Sequence, residues 1–347
     1  MLVTFSEKDI LVCEKCVPLE ELRGCQILIA GAGGLIGSAL VSLLLELDRK
    51  LGLSIDVYAL GRDKEALERR FSRYIGTEEF HIVEADVVEY VPADMRPNLI
   101  IHGASPASPI AYAQTPVDVM RANFLGTLRL LDLARKSGGR LLFASSGEIY
   151  GSSDDPDAVF TEEVCGSVEP MRVRSCYPES KRAAETLCAS YWAQFGVRAM
   201  AARLCYVYGP SIAESNTRAD AQFLRDVVSG RDIVMKSRGT QVRSYCYVKD
   251  AAIALLSILL KGQPGQAYNV AAAASVASIR EYAETLAEIA GVNVTFALPS
   301  EEEARGYTSV QRAVLAPGKL EALGWKPVYS LRDGLYDTYR QAVQTSL

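Results

Sequence analysis

A glycine-rich segment at residues 31–37 constrains the fold of this 347-residue chain more than any other feature. The apolar residues 26–30 before it are typical of a short buried strand, and the apolar residues 38–45 after it are typical of a helix. Glycines allow a tight turn and close approach of a ligand to the backbone, and the N-terminus of the following helix attracts a pyrophosphate. The segment therefore predicts a dinucleotide-binding loop whose contact residues are Gly31, Gly34, Leu35, Ile36 and Gly37.

Strand and helix patterns alternate up to about residue 146 and become shorter beyond Pro210. Such alternation predicts an α/β fold with a Rossmann-type, doubly wound parallel sheet, followed by a smaller C-terminal α/β substrate lobe. We expect an N-terminal extension over 1–24 on the outside of the nucleotide lobe, an NAD(P)-binding domain over 25–210 and a substrate-binding lobe over 211–347. Segments can cross between the two lobes.

A tyrosine and a lysine stand four residues apart at Tyr177 and Lys181. On a helix this spacing places both side chains on one face. A nearby ammonium favours a phenolate, so Tyr177 is a candidate base for an alcohol proton, with Lys181 lowering its pKa. Ser146, at the end of the predicted strand 141–145, can hold the same alcohol, although Ser145 is adjacent to it.

Taken together, these motifs resemble those of the extended short-chain dehydrogenases/reductases of the NAD-dependent epimerase/dehydratase family, which act on nucleotide sugars. The resemblance runs from about residue 25 to the C-terminus, and it is strongest toward UDP-glucuronate decarboxylases. It is carried by HGASPASP at 102–109, NFLGT at 123–127, CY at 176–177, KRAAET at 181–186 and YGP at 208–210.

The resemblance implies further cofactor residues. Asp86 and Val87 would meet the adenine, Ala104 and Ser105 would pass beside a ribose, and Asn123 would be the polar position of a long helix. Arg62 follows the second strand, where it can stack on adenine, pair with a 2′-phosphate or cap a solvated turn. NAD is the expected cofactor, and NADP stays open because of Arg62.

Oxidation at C4 of a sugar makes the C5 hydrogen acidic and turns a C6 carboxylate into part of a β-keto acid. Family dehydratases carry an Asp-Glu pair after the strand, whereas this chain has Gly147-Glu148, which disfavours dehydration. Glu148 is expected to act as a base or to orient the sugar ring, and a turn-capping carboxylate is the alternative.

The substrate residues expected from the resemblance are Tyr112, Tyr206, Arg218 and Arg243. A guanidinium suits a phosphate or carboxylate, and a surface arginine is the alternative, more so for Arg218 than for Arg243. Tyr112 is placed in a loop over 105–116, since its prolines disfavour a helix. Two positions depart from the family pattern: Tyr206 stands in place of an Asn, and Gln222 stands in place of a second Asn. The particular nucleotide sugar is therefore open.

The net charge of −5 gives no electrostatic reason to expect binding to nucleic acid or an anionic membrane. The apolar runs are too short or interrupted for a membrane span, and the first residues lack a signal-peptide pattern, so we expect a cytoplasmic protein. The eight cysteines and two histidines predict neither a disulfide framework nor a metal site. The resemblance implies a homodimer that pairs the helices predicted over 117–138 and 178–195.

The sequence thus predicts a nucleotide-sugar enzyme that uses NAD(H) to oxidise C4 transiently, in the manner of a UDP-glucuronate decarboxylase. Its alternatives are a 4-epimerase, a 4,6-dehydratase or a simple reductase that releases reduced cofactor. A dinucleotide-binding scaffold without catalysis is disfavoured, because it has no need of a phenolate base.

Overall fold

The computed structural model describes residues 2–89, 94–153, 155–211, 216, 218–297 and 310–346. Its strands are β1 Gln26–Ala30, β2 Asp56–Gly61, β3 Phe80–Glu84, β4 Leu99–His102, β5 Arg140–Ser146, β6 Val159–Phe160, β7 Arg198–Leu204, β8 Tyr206–Tyr208, β9 Ile233–Met235, β10 Val242–Tyr247, β11 Ala267–Val270, β12 Val276–Ser278, β13 Val294–Phe296 and β14 Arg312–Leu315. Its α-helices are α1 Glu7–Cys16, α2 Leu35–Leu51, α3 Lys64–Arg70, α4 Pro109–Gln114, α5 Pro116–Ser137, α6 Cys176–Phe195, α7 Ala219–Val228, α8 Val248–Lys261, α9 Ile279–Ala290, α10 Gly318–Glu321 and α11 Leu331–Ser346.

Seven parallel strands form the main sheet, in the order β11-β7-β5-β4-β1-β2-β3. The chain leaves β1 toward β2 and β3, then returns to build the other half from β4 onward. A crevice therefore opens at the carboxyl ends of β1 and β4, the place where doubly wound sheets bind ligands. This architecture confirms the predicted Rossmann-type α/β fold.

Helices cover both faces of this sheet because alternate strand residues point to opposite sides. Ile27 and Ile29 of β1 join the core under α2 and α8, while Leu28 and Ala30 join the core under α5 and α6. Helix α2 begins at the N-cap Gly34 and ends where Gly52 adopts a left-handed conformation. The apolar strands and helices of the sequence thus form two buried layers around one sheet.

A smaller sheet has the order β12-β10-β14-β6, with β8 paired to β10, and β13 pairs with β9. Chain segments beyond Pro210 contribute both to this smaller sheet and to the main one, since β11 lies at the edge of the main sheet and α8 packs on its face. The division of the chain at residue 210 stays a prediction.

The N-terminal segment packs into the core that contains α2 and α8. Its Ile10 and Cys13 are buried there, and Ser6 and Asp9 form a capping box at the start of α1. The buried Asp9 carboxylate lies 3.1 Å from the ammonium of Lys249 in α8, which lies 2.8 Å from Asp337 in α11. Three distant parts of the chain are thereby joined by one buried ionic cluster.

One local prediction is wrong. The stretch 105–116 was expected to be a loop, but it contains α4, because Pro109 occupies the first helical turn and the Ser108 hydroxyl caps the helix. Strand β7 ends at Leu204, and Tyr206 begins the separate strand β8 of the smaller sheet. No helix among the described residues is both long and apolar enough to cross a membrane.

Candidate active site

The glycine loop closes tightly against the segment that follows β4. Gly31 has φ +81°, and a Cβ there would lie 2.6 Å from the backbone nitrogen of Ala104. A Cβ on Gly37 would clash with the Gly31 carbonyl, whereas the nearest atom to a Cβ on Gly34 is 3.4 Å away. Gly31 and Gly37 are therefore required by the protein, and Gly34 leaves space on the crevice side.

This loop also leaves the N-terminus of α2 without a side-chain cap, because Gly34 occupies the N-cap position. The first N–H groups of a helix, here those of Leu35 and Ile36, have no partner within the helix. Such groups, with the helix dipole, attract a pyrophosphate. The loop and helix start fit the dinucleotide predicted for them.

Arg62 and Asp86 lie beside each other beyond the ends of β2 and β3. The Arg62 guanidinium is 74% exposed and lies 3.9 Å from the Asp86 carboxylate, which also accepts a hydrogen bond from the Val88 N–H at 2.8 Å. Val87 is buried. The Asp86 carboxylate, expected beside the adenine, pairs with Arg62 and would repel a 2′-phosphate bound there, so the pair favours NAD over NADP.

Ser105 Oγ and Asn123 Oδ1 are buried polar atoms without a hydrogen-bond partner among the described residues. The amide nitrogen of Asn123 donates to Ser180 Oγ at 2.9 Å. Ala104, before Ser105, is the residue against which Gly31 packs. Buried polar atoms normally find partners, so these two fit a site that a bound molecule or water completes.

Tyr177 and Lys181 lie one turn apart at the start of α6, and both are buried. The Lys181 ammonium lies 5.5 Å from the centre of the Tyr177 ring and 4.6 Å from that of Phe143. It donates to the Ala144 carbonyl at 2.6 Å. The structure thus brings the two predicted residues together beside the end of β5.

Burial raises the pKa of Tyr177 to about 12, and the negative charge of Glu148 acts in the same direction. A hydrogen bond with Ser146 and the charges of Arg218 and Arg174 oppose this rise. Burial also lowers the pKa of Lys181 to about 7, against a smaller opposing effect of Glu185. The expected lowering of the Tyr177 pKa is not seen in the protein alone, because desolvation outweighs the nearby positive charges.

The two serines at the end of β5 separate onto opposite sides, as alternation along a strand requires. The Ser145 hydroxyl donates to the Glu185 carboxylate, which is paired with Arg203 at 2.8 Å. Ser146 interacts with Tyr177 and accepts a hydrogen bond from the Glu148 N–H at 3.2 Å. Ser146, not Ser145, therefore belongs to the cluster around the phenol.

An arginine that the sequence analysis missed completes this cluster. Arg174 donates to the Glu148 carboxylate at 2.7 Å, and its guanidinium lies 4.4 Å from the centre of the Tyr112 ring. The Tyr112 ring packs on that of Tyr177 at 4.8 Å between centres. The position of Arg174, three residues before Tyr177, is the one sequence signal that could have drawn attention to it.

The other predicted substrate residues gather around Tyr206. The guanidinium groups of Arg218 and Arg243 lie 5.5 and 5.4 Å from the centre of its ring. Arg243 is 1% exposed, and its Nε has no hydrogen-bond partner among the described residues. Gln222 lies one helical turn beyond Arg218. Arg218 is paired with Asp220 at 3.3 Å, and the two terminal nitrogens of Arg243 donate to backbone carbonyls. The Nε of Arg243 is therefore the donor of these groups that an anionic ligand could use.

The fold and this cluster define an NAD-dependent α/β enzyme with a Ser/Tyr/Lys centre. The model of the NAD dependent epimerase/dehydratase family matches residues 27–271, and the chain belongs to that family.

Similar proteins include UDP-glucuronic acid decarboxylase 3 of Arabidopsis thaliana, 35% identical over 92% of this chain and 90% of its own length. Among solved structures, UDP-glucose 4-epimerase of Thermus thermophilus in complex with NAD is 28% identical, with a TM-score of 0.74 over 93% of this chain and 100% of that one. UDP-glucuronic acid 4-epimerase of Bacillus cereus, in complex with UDP-glucuronic acid and NAD, is 20% identical, with a TM-score of 0.78 over 93% and 100% of the chains. NAD is the cofactor of the family, which confirms the expected cofactor.

Proposed function

We propose that this chain is a lyase that decarboxylates UDP-glucuronate through transient oxidation at C4. The observation that carries the proposal is the cluster of Ser146, Glu148 and Tyr177, with Lys181 behind the phenol, at the carboxyl edge of a dinucleotide-binding sheet. The similarity to UDP-glucuronic acid decarboxylases along nearly the whole chain supports this substrate over other nucleotide sugars.

In this proposal the Ser146 hydroxyl holds the C4 hydroxyl of the sugar and Tyr177 accepts its proton. Lys181 would lie against the nicotinamide ribose, and the positive charge of an oxidised nicotinamide would add to the charges that favour the phenolate. A dinucleotide held by these residues would supply the hydride acceptor for oxidation at C4 and the hydride donor for the final reduction. The pyrophosphate would be held by the glycine loop and the start of α2.

The intermediate sugar carries a carbonyl at C4 and a carboxylate at C6, so it is a β-keto acid. Its C5–C6 bond breaks with release of CO2, the electron pair enters the enolate over C5 and C4, and a proton is then added at C5. The restored carbonyl at C4 is reduced to the hydroxyl of a pentose. Glu148 lies beside Tyr177 and is placed to orient the ring during these steps.

Dehydration is disfavoured by the position before Glu148. A Cβ on Gly147 would lie 3.0 Å from a methyl carbon of Leu315 and 3.5 Å from the Leu204 carbonyl, so an acidic side chain has little space there. A 4,6-dehydratase would need a general acid for the C6 hydroxyl. The surroundings of Gly147 therefore support the decarboxylase over the dehydratase.

Arg218 and Arg243, both beside the Tyr206 ring, are proposed to bind the diphosphate of the substrate. Guanidinium groups bind phosphate oxygens through paired hydrogen bonds, and the unpartnered Nε of Arg243 leaves one such donor available among the residues described.

The test is NMR of the purified protein with NAD+ and UDP-glucuronate labelled with 13C at C6. We expect labelled CO2 and a new anomeric signal from a UDP-pentose, and no turnover by the Tyr177→Phe variant. Retained turnover in that variant would contradict the mechanism. A labelled UDP-uronate epimer without CO2 would instead indicate a 4-epimerase, and stoichiometric release of reduced cofactor would indicate a reductase.

A homodimer is part of the proposal and is supported by exposed apolar side chains on the two predicted helices. Val117, Met120 and Phe124 of α5 are exposed at helical spacing, as are Trp192 and Phe195 of α6. Exposed apolar residues that cluster on neighbouring helices are typical of an interface. The cytoplasmic location expected from the sequence stays a prediction.

A further inference from the structure

Arg174 makes contacts that the proposed steps do not use. It lies in a short 3-10 turn, Val173–Ser175, directly before α6, and therefore close in the chain to Tyr177. Its guanidinium is placed between the Glu148 carboxylate, at 2.7 Å, and the face of the Tyr112 ring, at 4.4 Å from the centre. One side chain thus joins the turn after β5, helix α4 and the start of α6.

Both partners of Arg174 are neighbours of the Tyr177 phenol. The Tyr112 ring packs on the Tyr177 ring, and Glu148 is the largest electrostatic influence on that phenol, acting to raise its pKa. The other polar and charged groups that face it are Ser146 of β5, Arg218 at the start of α7, Lys181 of α6 and Arg174 itself. Without Arg174, Glu148 would lose the cation that pairs with its carboxylate, and Arg218 and Lys181 would be the positive groups left facing the phenol.

We propose that Arg174 is a positioning residue, which fixes the Glu148 carboxylate and the Tyr112 ring against Tyr177 and so controls the charge around the base. The identification of Tyr177 as the base rests on the proposed function. The guanidinium suits this role because its planar fork can donate to a carboxylate at its edge while its face stacks on an aromatic ring, and the compact ammonium of a lysine lacks such a face.

The chain offers a matched control. Arg172 lies two residues before Arg174 and is also paired with a glutamate, Glu169, but both of these side chains are largely exposed. An Arg172→Ala variant removes the same charge from the same segment without touching Glu148 or Tyr112, so it reports the general effect of losing one positive charge nearby.

The experiment follows the phenol directly. 3-Fluorotyrosine is placed at position 177 and titrated by 19F NMR in the full chain without sugar, in wild type and in the Arg174→Ala, Arg174→Lys, Glu148→Gln and Arg172→Ala backgrounds. The pH profile of kcat/KM is measured for the same variants with native tyrosine at position 177.

We expect Arg174→Ala to raise the titration midpoint by about one unit, which lowers the phenolate fraction roughly tenfold at neutral pH, and to move the rising limb of the pH profile equally. Glu148→Gln should lower the midpoint, and Arg174→Lys should shift it less than Arg174→Ala does. Arg172→Ala should leave both readouts at their wild-type positions.

The proposal is overturned if Arg174→Ala leaves the 19F midpoint unchanged, whatever it does to the melting temperature, or if Arg172→Ala shifts it equally. The 19F titration needs no sugar. Absence of turnover with UDP-glucuronate by the wild type would therefore refute the proposed function and leave the test of Arg174 intact.

Discussion

The ammonium of Lys181 lies 5.5 Å from the centre of the Tyr177 ring and donates its hydrogen bond to the Ala144 carbonyl. The two side chains share a helix face, yet they do not form a direct pair in the cofactor-free protein. Both are buried, and burial disfavours the charged form of each. The site therefore has an electrostatic cost that binding of cofactor and substrate is expected to relieve.

Lys181→Met should stabilise the cofactor-free protein at neutral pH. The pKa of Lys181 is about 7 in the folded chain, below the ordinary 10.5, so the unfolded chain binds more protons between these values and wild-type stability rises with pH there. We expect the free energy of unfolding of the variant to be roughly 2 kcal/mol higher than that of wild type near neutral pH, after allowing for the lost hydrogen bond.

The difference in the free energy of unfolding between Lys181→Met and wild type should decrease by up to about 1.4 kcal/mol per pH unit above the pKa of Lys181 in the folded chain. Urea unfolding monitored by circular dichroism at a series of pH values measures the difference. A variant that is less stable than wild type at neutral pH, or a difference that does not change with pH, would show that Lys181 is not held at a depressed pKa.

Gly31→Ala and Gly34→Ala should separate folding from cofactor binding. The first places a Cβ 2.6 Å from the Ala104 backbone at a φ of +81°, so we expect a loss of roughly 2–4 kcal/mol of stability. The second meets its nearest atom, the Gly31 carbonyl oxygen, at 3.4 Å, and it lies in the loop that is expected to bind the pyrophosphate. It should melt within a few degrees of wild type but bind NAD at least tenfold more weakly.

Thermal melts and isothermal titration with NAD distinguish the two variants. Gly34→Ala with wild-type affinity for NAD would place the pyrophosphate away from the loop. Gly31→Ala with wild-type stability would contradict the close packing of the loop against the segment after β4.

Asp86→Ala should weaken the preference for NAD over NADP. In wild type the Asp86 carboxylate lies 3.9 Å from the Arg62 guanidinium and repels a 2′-phosphate. Its removal frees Arg62 to pair with that phosphate, so the ratio of the two dissociation constants should move toward NADP by about tenfold. Adding Arg62→Ala to Asp86→Ala should reverse much of this gain. A ratio unchanged in Asp86→Ala would place the adenosine ribose elsewhere.

Phe124→Glu should disrupt the proposed dimer. Phe124 is 38% exposed on α5, in line with Met120 and Val117, and a carboxylate there would be buried without a partner in the interface. Val234→Glu is the matched control, because Val234 is equally exposed at 38% but lies in β9. Light scattering should give a dimer for wild type and the control, and a 37.7 kDa monomer for Phe124→Glu. A wild-type monomer would refute the dimer.

The parts of the fold and site that could be predicted from the sequence are those formed by residues that lie close together in the chain. The glycine loop lies between a strand and a helix that are adjacent in the chain, and Tyr177 and Lys181 share one helix turn. The helix α4 was missed because the prolines of 105–116 were interpreted as breakers, although Pro109 lies in the first turn, where no N–H bond is lost.

The remaining features depend on tertiary placement. The pairing of Arg174 with Glu148 joins a 3-10 turn to the end of β5, 26 residues apart in the chain, and no local pattern encodes it. Likewise, the cluster of Asp9, Lys249 and Asp337 joins both ends of the chain to α8. The choice between Ser145 and Ser146 depends on which face of the sheet each occupies.

The most direct test of transient oxidation at C4 uses UDP-glucuronate with deuterium at C4. We expect release of CO2 and a UDP-pentose that retains the deuterium at C4, because the hydride that leaves C4 returns to it within one turnover, with no net accumulation of NADH. Loss of the deuterium to solvent, or a stoichiometric yield of deuterated NADH, would contradict transient oxidation at C4.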